Sequence, residues 1–135
     1  MPEPDILVSE VGPRDGLQNI DAVLPTEAKK RWIQSEAEAG VTEIEVGSFV
    51  PAKYMPQLAD TQELVSFARA IKGLSVAVLV PNFYGAKAAV EAQADKMSIP
   101  FSVSENEKML QQAGFHDVEL ILKWFNFGTF LAYAK

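Results

Sequence analysis

A chain of 135 residues has the size of one ordinary domain, and 48% hydrophobic with 22% charged residues excludes the disordered and fibrous classes. A net charge of -6 and a pI near 4.8, with Lys and Arg scattered, argue against a nucleic-acid partner, whose phosphates demand a basic face. There is no cysteine, which leaves the compartment open, with the cytoplasm as the default expectation; the acidic start through Asp5 lacks the build of a secretory signal or transit peptide, and no apolar run reaches about 18 residues, so no membrane span is expected.

The first expected element is a buried strand over 6–11. It empties into Glu10-Val11-Gly12-Pro13-Arg14-Asp15-Gly16-Leu17-Gln18-Asn19, at the carboxyl end of a strand, where α/β proteins bind ligands. Gly12 and Gly16 permit backbone angles that a Cβ disfavours, and Pro13 pushes Gly12 away from helix. Arg14 and Asp15 are therefore expected on a stiff extended turn, pointing to opposite sides and not neutralising each other. Asp15 then offers carboxylate oxygen to a hard divalent cation, and Arg14 offers a fork to an enolate or carboxylate oxygen. The competing reading is a solvated turn with one surface Arg and an Asx-type cap.

A helix is expected over 26–39, started at Pro25 and Thr26 and stopped by Gly40, with Ala28, Trp32 and Ala39 on its apolar stripe and Trp32 as core. The strand over 43–48 alternates, sending Ile44 and Val46 one way and Glu43, Glu45 and Gly47 the other. A carboxylate inside a barrel needs a partner, whereas one at a strand edge pairs with a surface Lys. Glu43 is expected to face solvent. The loop over 48–57, with two prolines and Gln57, reads equally as a pocket wall or a connector. A helix over 60–71, capped by Asp60 or Thr61 and ended before Gly73, should pack Leu64, Phe67, Ala68 and Ile71 on the sheet. The third strand, 75–80, runs into Pro81 and Asn82, and Asn82 either joins Asp15 on one rim or caps a helix over 83–94. A fourth strand is expected over 96–101.

Over about the first 105 residues the chain resembles hydroxymethylglutaryl-CoA lyase and its relatives, metal-dependent lyases and acyl-condensing enzymes built on a (β/α)8 TIM barrel. The matching segments are 10–19, Glu45-Val46-Gly47-Ser48-Phe49-Val50, Val80-Pro81-Asn82 and Asp95-Lys96-Met97-Ser98-Ile99. The resemblance implies the N-terminal half of such a barrel, about four βα units, where a whole one needs about 250 residues. It implies that Asp15 binds the metal, Mg2+ or Mn2+, that Arg14 steadies the developing enolate oxygen, and that Glu45 points into the site and orients groups around the metal. Gln18 and Asn82 are implied as substrate-binding, with an acyl-CoA as the substrate and leucine degradation as the setting.

The resemblance is expected to stop after Glu105. The family's later His-x-His metal pair, metal-binding Asn and Gly-rich Cys loop have no counterpart, since this sequence holds one His and no Cys. A short helix over 106–114 and a hairpin with strands over 118–125 and 129–134 are expected instead. They are similar to the closing helix and strand pair of class I methyltransferases, through Ala113-Gly114-Phe115 and Phe125-Asn126-Phe127-Gly128, but without the cofactor loop, so methyl transfer is not inferred. Residues 1–105 are thus expected as a partial barrel domain and 106–135 as a tail of different origin. His116 is assigned no role.

Two functions follow. One is a carbon-carbon lyase splitting 3-hydroxy-3-methylglutaryl-CoA into acetyl-CoA and acetoacetate, incomplete and inactive alone. The other is a non-catalytic half-barrel that folds and self-associates. Open strand edges point to a homo-oligomer, partly relieved where Trp124, Phe125, Phe127 and Phe130 of the hairpin cover the inner face.

Overall fold

The computed structural model describes residues 7–98, 102–112, 114–124 and 127–134. The chain divides into two compact units, Met1–Ile99 and Pro100–Lys135.

The first unit alternates strands and helices. Strands β1 (Ser9–Glu10), β2 (Glu43–Ser48), β3 (Ser75–Leu79) and β4 (Lys96–Ser98) form one parallel sheet in the order β1-β2-β3-β4, and the helices α1 (Thr26–Glu38), α2 (Thr61–Arg69) and α3 (Phe83–Glu91) supply the crossovers. Parallel neighbours need such crossovers because a tight turn cannot return the chain to the same end of the sheet. This is the N-terminal half of an α/β barrel, as the sequence implied.

Helix α1 ends within one residue of the expected 39, whereas α2 ends at Arg69 and α3 at Glu91, short of the expected 71 and 94. Gly40 and Gly73 have φ of +99° and +86°, angles that a side chain resists; Gly40 closes α1, and Gly73 turns the chain between the end of α2 and β3. Ile44, Val46, Val76 and Val78 from the strands and Leu64 and Val65 from α2 are fully buried in one apolar cluster. Burying each such side chain is worth roughly 1.5–3 kcal/mol, so the sheet and α2 hold each other.

Helix α1 differs from the expected stripe. Its buried residues are Lys29 and Ile33, while Ala39 is exposed. Lys29 is 1% exposed, and its Nζ donates to Asp60 Oδ1 and to the Gln57 carbonyl, both at 2.6 Å. Trp32 packs under the turn after β1, where a Cβ on Gly12 would come within 2.8 Å of its ring.

Strand β2 is buried at all six positions, and its alternation is interrupted. Glu45 pairs with Ala77 but Gly47 pairs with Val78, so Val46 is an extra residue in a β-bulge. Gly47 consequently faces α2 and does not share the Glu45 side, contrary to the uninterrupted period of two. Glu43 is 8% exposed and does not face solvent as expected. It lies on an interior strand and accepts a hydrogen bond from Lys96 Nζ on β4.

In the second unit, α4 (Val103–Gln112) precedes an antiparallel pair, β5 (Phe115–Trp124) and β6 (Phe127–Ala134). Helix α4 begins earlier than the expected 106. Ser102 and Glu105 form a capping box, in which Glu105 N–H donates to Ser102 Oγ at 3.3 Å and Ser102 N–H to Glu105 Oε2 at 2.8 Å. The hairpin exists, and β5 begins three residues before the expected 118. Among the described residues β5 and β6 form a sheet of their own. The side chains of Trp124, Phe125, Phe127 and Phe130, on which the covering role rested, lie outside the described residues, as does that of His116.

Candidate functional site

The residues singled out after β1 sit in one wide helical turn of the π type, Gly12–Gly16. The Val11 carbonyl accepts from both Arg14 N–H, at 3.1 Å, and Asp15 N–H, at 2.7 Å. The turn is therefore not extended. Pro13 stands in the first turn, where its missing N–H costs nothing and its fixed φ suits a helix.

That conformation overturns the expectation that Arg14 and Asp15 point apart. Adjacent residues of a helical turn do not lie on opposite sides, and here Arg14 Nη1 donates to Asp15 Oδ1 at 2.7 Å. The other arm of the fork, Nη2, donates to Glu45 Oε2 at 2.7 Å. Arg14 thus bridges the turn after β1 and the middle of β2. Glu45 has the partner that a buried carboxylate requires.

Gln18 extends the group by donating from Nε2 to Asp15 Oδ1 at 3.2 Å, and Asn19 Nδ2 donates to the Asp15 carbonyl at 2.6 Å. Arg14 Nε and Glu45 Oε1 are buried and lack a hydrogen-bond partner among the described residues, and so does Ser48 Oγ further along β2. Buried polar atoms without partners are uncommon and mark a place where a further polar group fits.

Asn82 does something else in this structure. Its Oδ1 accepts from Gly85 N–H at 3.0 Å and caps α3, the second of its two expected roles. It also borders a cavity of about 270 Å3 with Ser48, Phe49, Leu58, Thr61 and Tyr84. None of Arg14, Asp15 and Glu45 borders that cavity. The loop after β2 is tied down: Gln57 Nε2 donates to the Ile20 carbonyl at 2.6 Å, and Asp60 receives both Lys29 and Thr26. Lys29, Asp60 and Thr61 were not singled out from the sequence as supports of the site. A lysine on an amphipathic face normally reads as solvated, and only its spacing from Asp60 in three dimensions reveals the pair.

A divalent cation can be weighed against these donors. Arg14 with Asp15 and Glu45 carries a formal charge of about -1, which suits a cation. Asp15 is the accessible carboxylate, and its bonds from Arg14 and Gln18 both fall on Oδ1, leaving Oδ2 without a hydrogen bond among the described residues. Among those residues no group of three or more His, Cys, Asp or Glu could enclose a metal. The donors fit a hard cation attached through one carboxylate that keeps waters or takes ligand oxygens. They do not build a cage. Among the described residues no helix is long and apolar enough to cross a membrane.

Comparison with known proteins bears on the whole arrangement. The chain is 45% identical over 100 residues to a mitochondrial hydroxymethylglutaryl-CoA lyase of Gallus gallus, covering 74% of this chain and 34% of that protein. It is 39% identical over 101 residues to a cytoplasmic 3-hydroxy-3-methylglutaryl-CoA lyase of Rattus norvegicus, covering 75% of this chain and 29% of that protein. The solved structure of an HMG-CoA lyase from Acinetobacter baumannii, in complex with coenzyme A and 3-methylmalate, superposes with a TM-score of 0.64 at 39% identity, over 69% of this chain and 30% of that one. The chain spans about a third of the length of the curated relatives it matches. The HMGL-like family profile matches residues 5–123, through α4 and most of β5. The likeness therefore does not stop at Glu105, and the methyltransferase resemblance of 106–135 is not borne out; a short helix followed by a hairpin is a common local pattern that fits many folds. With a family profile over most of its length, the chain belongs to the HMGL-like family.

Proposed function

We propose that this chain carries part of the site of a carbon-carbon lyase acting on an acyl-CoA, 3-hydroxy-3-methylglutaryl-CoA, to give acetyl-CoA and acetoacetate. The observation that carries the reading is Arg14 held between Asp15 and Glu45 at 2.7 Å on each side. A guanidinium fixed by two carboxylates cannot swing away, and it keeps N–H groups beyond the two it spends on them, with Nε buried and without a partner among the described residues. Donors fixed before reaction stabilise an oxygen on which charge develops, as on the enolate left when a carbon-carbon bond breaks.

Glu45 orients Arg14 and holds its charge in place. Asp15 is the carboxylate that would hold Mg2+ or Mn2+, and Gln18 steadies it from one side. Bound there, the cation would supply Lewis acidity to substrate oxygens. Gln18 and Asn82 are the substrate-binding candidates on the rim. Asn82 would do so while capping α3, since its amide nitrogen is not used in the cap. The cytoplasm is the compartment in this reading, and leucine breakdown the setting. The chemistry belongs to residues 1–105, and the helix and hairpin of 106–135 take no part in it.

The competing reading, a non-catalytic half-barrel, shares every structural feature and differs in binding. Titrating the chain with Mn2+ while following amide signals separates the two. Broadening centred on Arg14 to Gln18, weak in affinity and lost in Asp15→Ala, supports the lyase site. Uniform or absent broadening favours the half-barrel. Acetyl-CoA release by this chain alone is expected not to exceed the catalyst-free rate, because one carboxylate and one arginine are a small part of what such a bond cleavage needs.

A further inference from the structure

We infer that Thr61, at the start of α2, is a positioning residue for the Arg14–Glu45 pair, acting through the bulge of β2; the inference rests on the site proposed above. Strand β2 must do two incompatible things. Ile44 and Val46 have to enter the apolar cluster on the helix side, and Glu45 and, by register, Ser48 have to face the other way. Strict alternation cannot deliver that, because it would send Ser48 to the helix side with Ile44 and Val46. The extra residue resolves the conflict: Val46 and Gly47 both face the helices, and Ser48 pairs with Leu79 as Glu45 pairs with Ala77.

A bulge leaves backbone groups without ladder partners, and these need others when buried. Thr61 is 2% exposed and provides them. Its Oγ1 accepts from Ser48 N–H at 3.1 Å, and its single proton is shared between the carbonyls of Leu58, at 2.7 Å, and Ser48, at 3.1 Å. Gly47 makes the approach possible, since a Cβ there would lie 2.2 Å from Oγ1. Gly47 and Thr61 are therefore a matched pair: the glycine leaves the space and the hydroxyl fills it. What they hold in place is the segment that begins at Glu45 and so the direction of the carboxylate toward Arg14.

Nuclear magnetic resonance on the whole 135-residue chain tests this with Thr61→Val, Thr61→Ser and Gly47→Ala. Thr61→Val keeps the shape and removes the hydroxyl, so Ser48 amide exchange should accelerate by about tenfold or more. The Arg14 Nε resonance should move, while the exchange of Val76 and Val78 in β3 should not. Thr61→Ser, which keeps the hydroxyl, should restore both signals. An Arg14 Nε resonance unchanged in Thr61→Val, or Ser and Val variants that behave alike, overturns the inference. Should Thr61→Val not fold, Gly47→Ala decides: displacement of the same two signals supports the pairing, and a folded variant with both unchanged overturns it. None of these readouts needs metal or substrate, so failure of the lyase reading leaves a distinct result.

Discussion

Arg14 Nη2 lies 2.7 Å from Glu45 Oε2, joining a helical turn to a strand 31 residues further along the chain. Glu45 is 4% exposed and Arg14 is 15% exposed at the side chain, so neither has enough water to replace the other. Breaking a buried pair from one side leaves the remaining charge stranded, at a cost of about 3–5 kcal/mol in fully buried cases. Arg14 retains Asp15 and some solvent, so Glu45→Ala should lose about 2–3 kcal/mol. Glu45→Gln, which keeps an acceptor, should lose about half of that. Urea unfolding checks both. A loss below about 1 kcal/mol for Glu45→Ala would mean that Asp15 alone satisfies Arg14.

Lys29 is the second buried charge, and its role is mechanical. Through Asp60 and the Gln57 carbonyl it fastens α1 to the loop that follows β2, and Gln57 in turn reaches Ile20 in the segment after the Arg14 turn. Lys29→Ala takes the cation from Asp60 and also opens a cavity, so a loss of about 3–5 kcal/mol is expected. Lys29→Met fills the space and leaves Asp60 with Thr26 and partial exposure, so its loss should be under about 2 kcal/mol. Thermal denaturation of the two variants side by side tests the ordering. Equal losses would show that the missing cation, not packing, dominates at this position.

The pair of Glu43 and Lys96 ties β2 to β4 across β3. The hydrogen bond from Lys96 holds the Glu43 carboxyl below its ordinary value, against the opposing effect of burial and with help from Ser9. A lowered carboxyl pKa in the folded state adds stability above the unfolded value of about 4.3. That stability is lost as the pH falls through the folded value. Comparison of the chain with Glu43→Gln by urea midpoint should therefore show an advantage for the unmodified chain near about pH 6 that disappears toward about pH 3. Lys96→Met leaves the buried carboxylate without its cation and should move the loss to higher pH. An advantage that is independent of pH would remove the ionic account.

Much of this architecture is legible in the sequence because its punctuation is local. Gly40 closes α1 and Gly73 turns the chain before β3, both at positive φ, and apolar runs such as 75–80 read as buried strands without further information. The conformation of the Arg14 turn is not legible in the same way. Gly12 and Pro13 suggest an extended loop, and what selects the helical one is tertiary: Trp32 beneath Gly12, and one carbonyl taking two N–H groups. The bulge at Val46 is invisible to a period of two for the same reason, because only the opposing strand and Thr61 reveal it. The start of α4 stands in the sequence as Ser102 and Glu105 at capping-box spacing, and periodicity alone passes over it.

The ends of the sheet bear on assembly. In the four-stranded sheet β1 and β4 are edges, each presenting one side of its backbone without a ladder partner among the described residues. Such edges pair with other chains unless they are short, charged or covered. Strand β4 is short, and Lys96, Met97 and Ser98 are all exposed; near β1, Leu7 and Val8 are exposed at 58% and 72%. Lys96 gives partial protection, but its charge is directed to Glu43. A homodimer is therefore expected at micromolar concentration, and Met97→Lys, which adds a second cation to the edge, should shift it toward monomer. Sedimentation velocity across a tenfold range of concentration reads this directly. A single monomeric species for the unmodified chain, unfolding cooperatively, would mean that the edges are already satisfied within one chain, and the dimer would have to be given up.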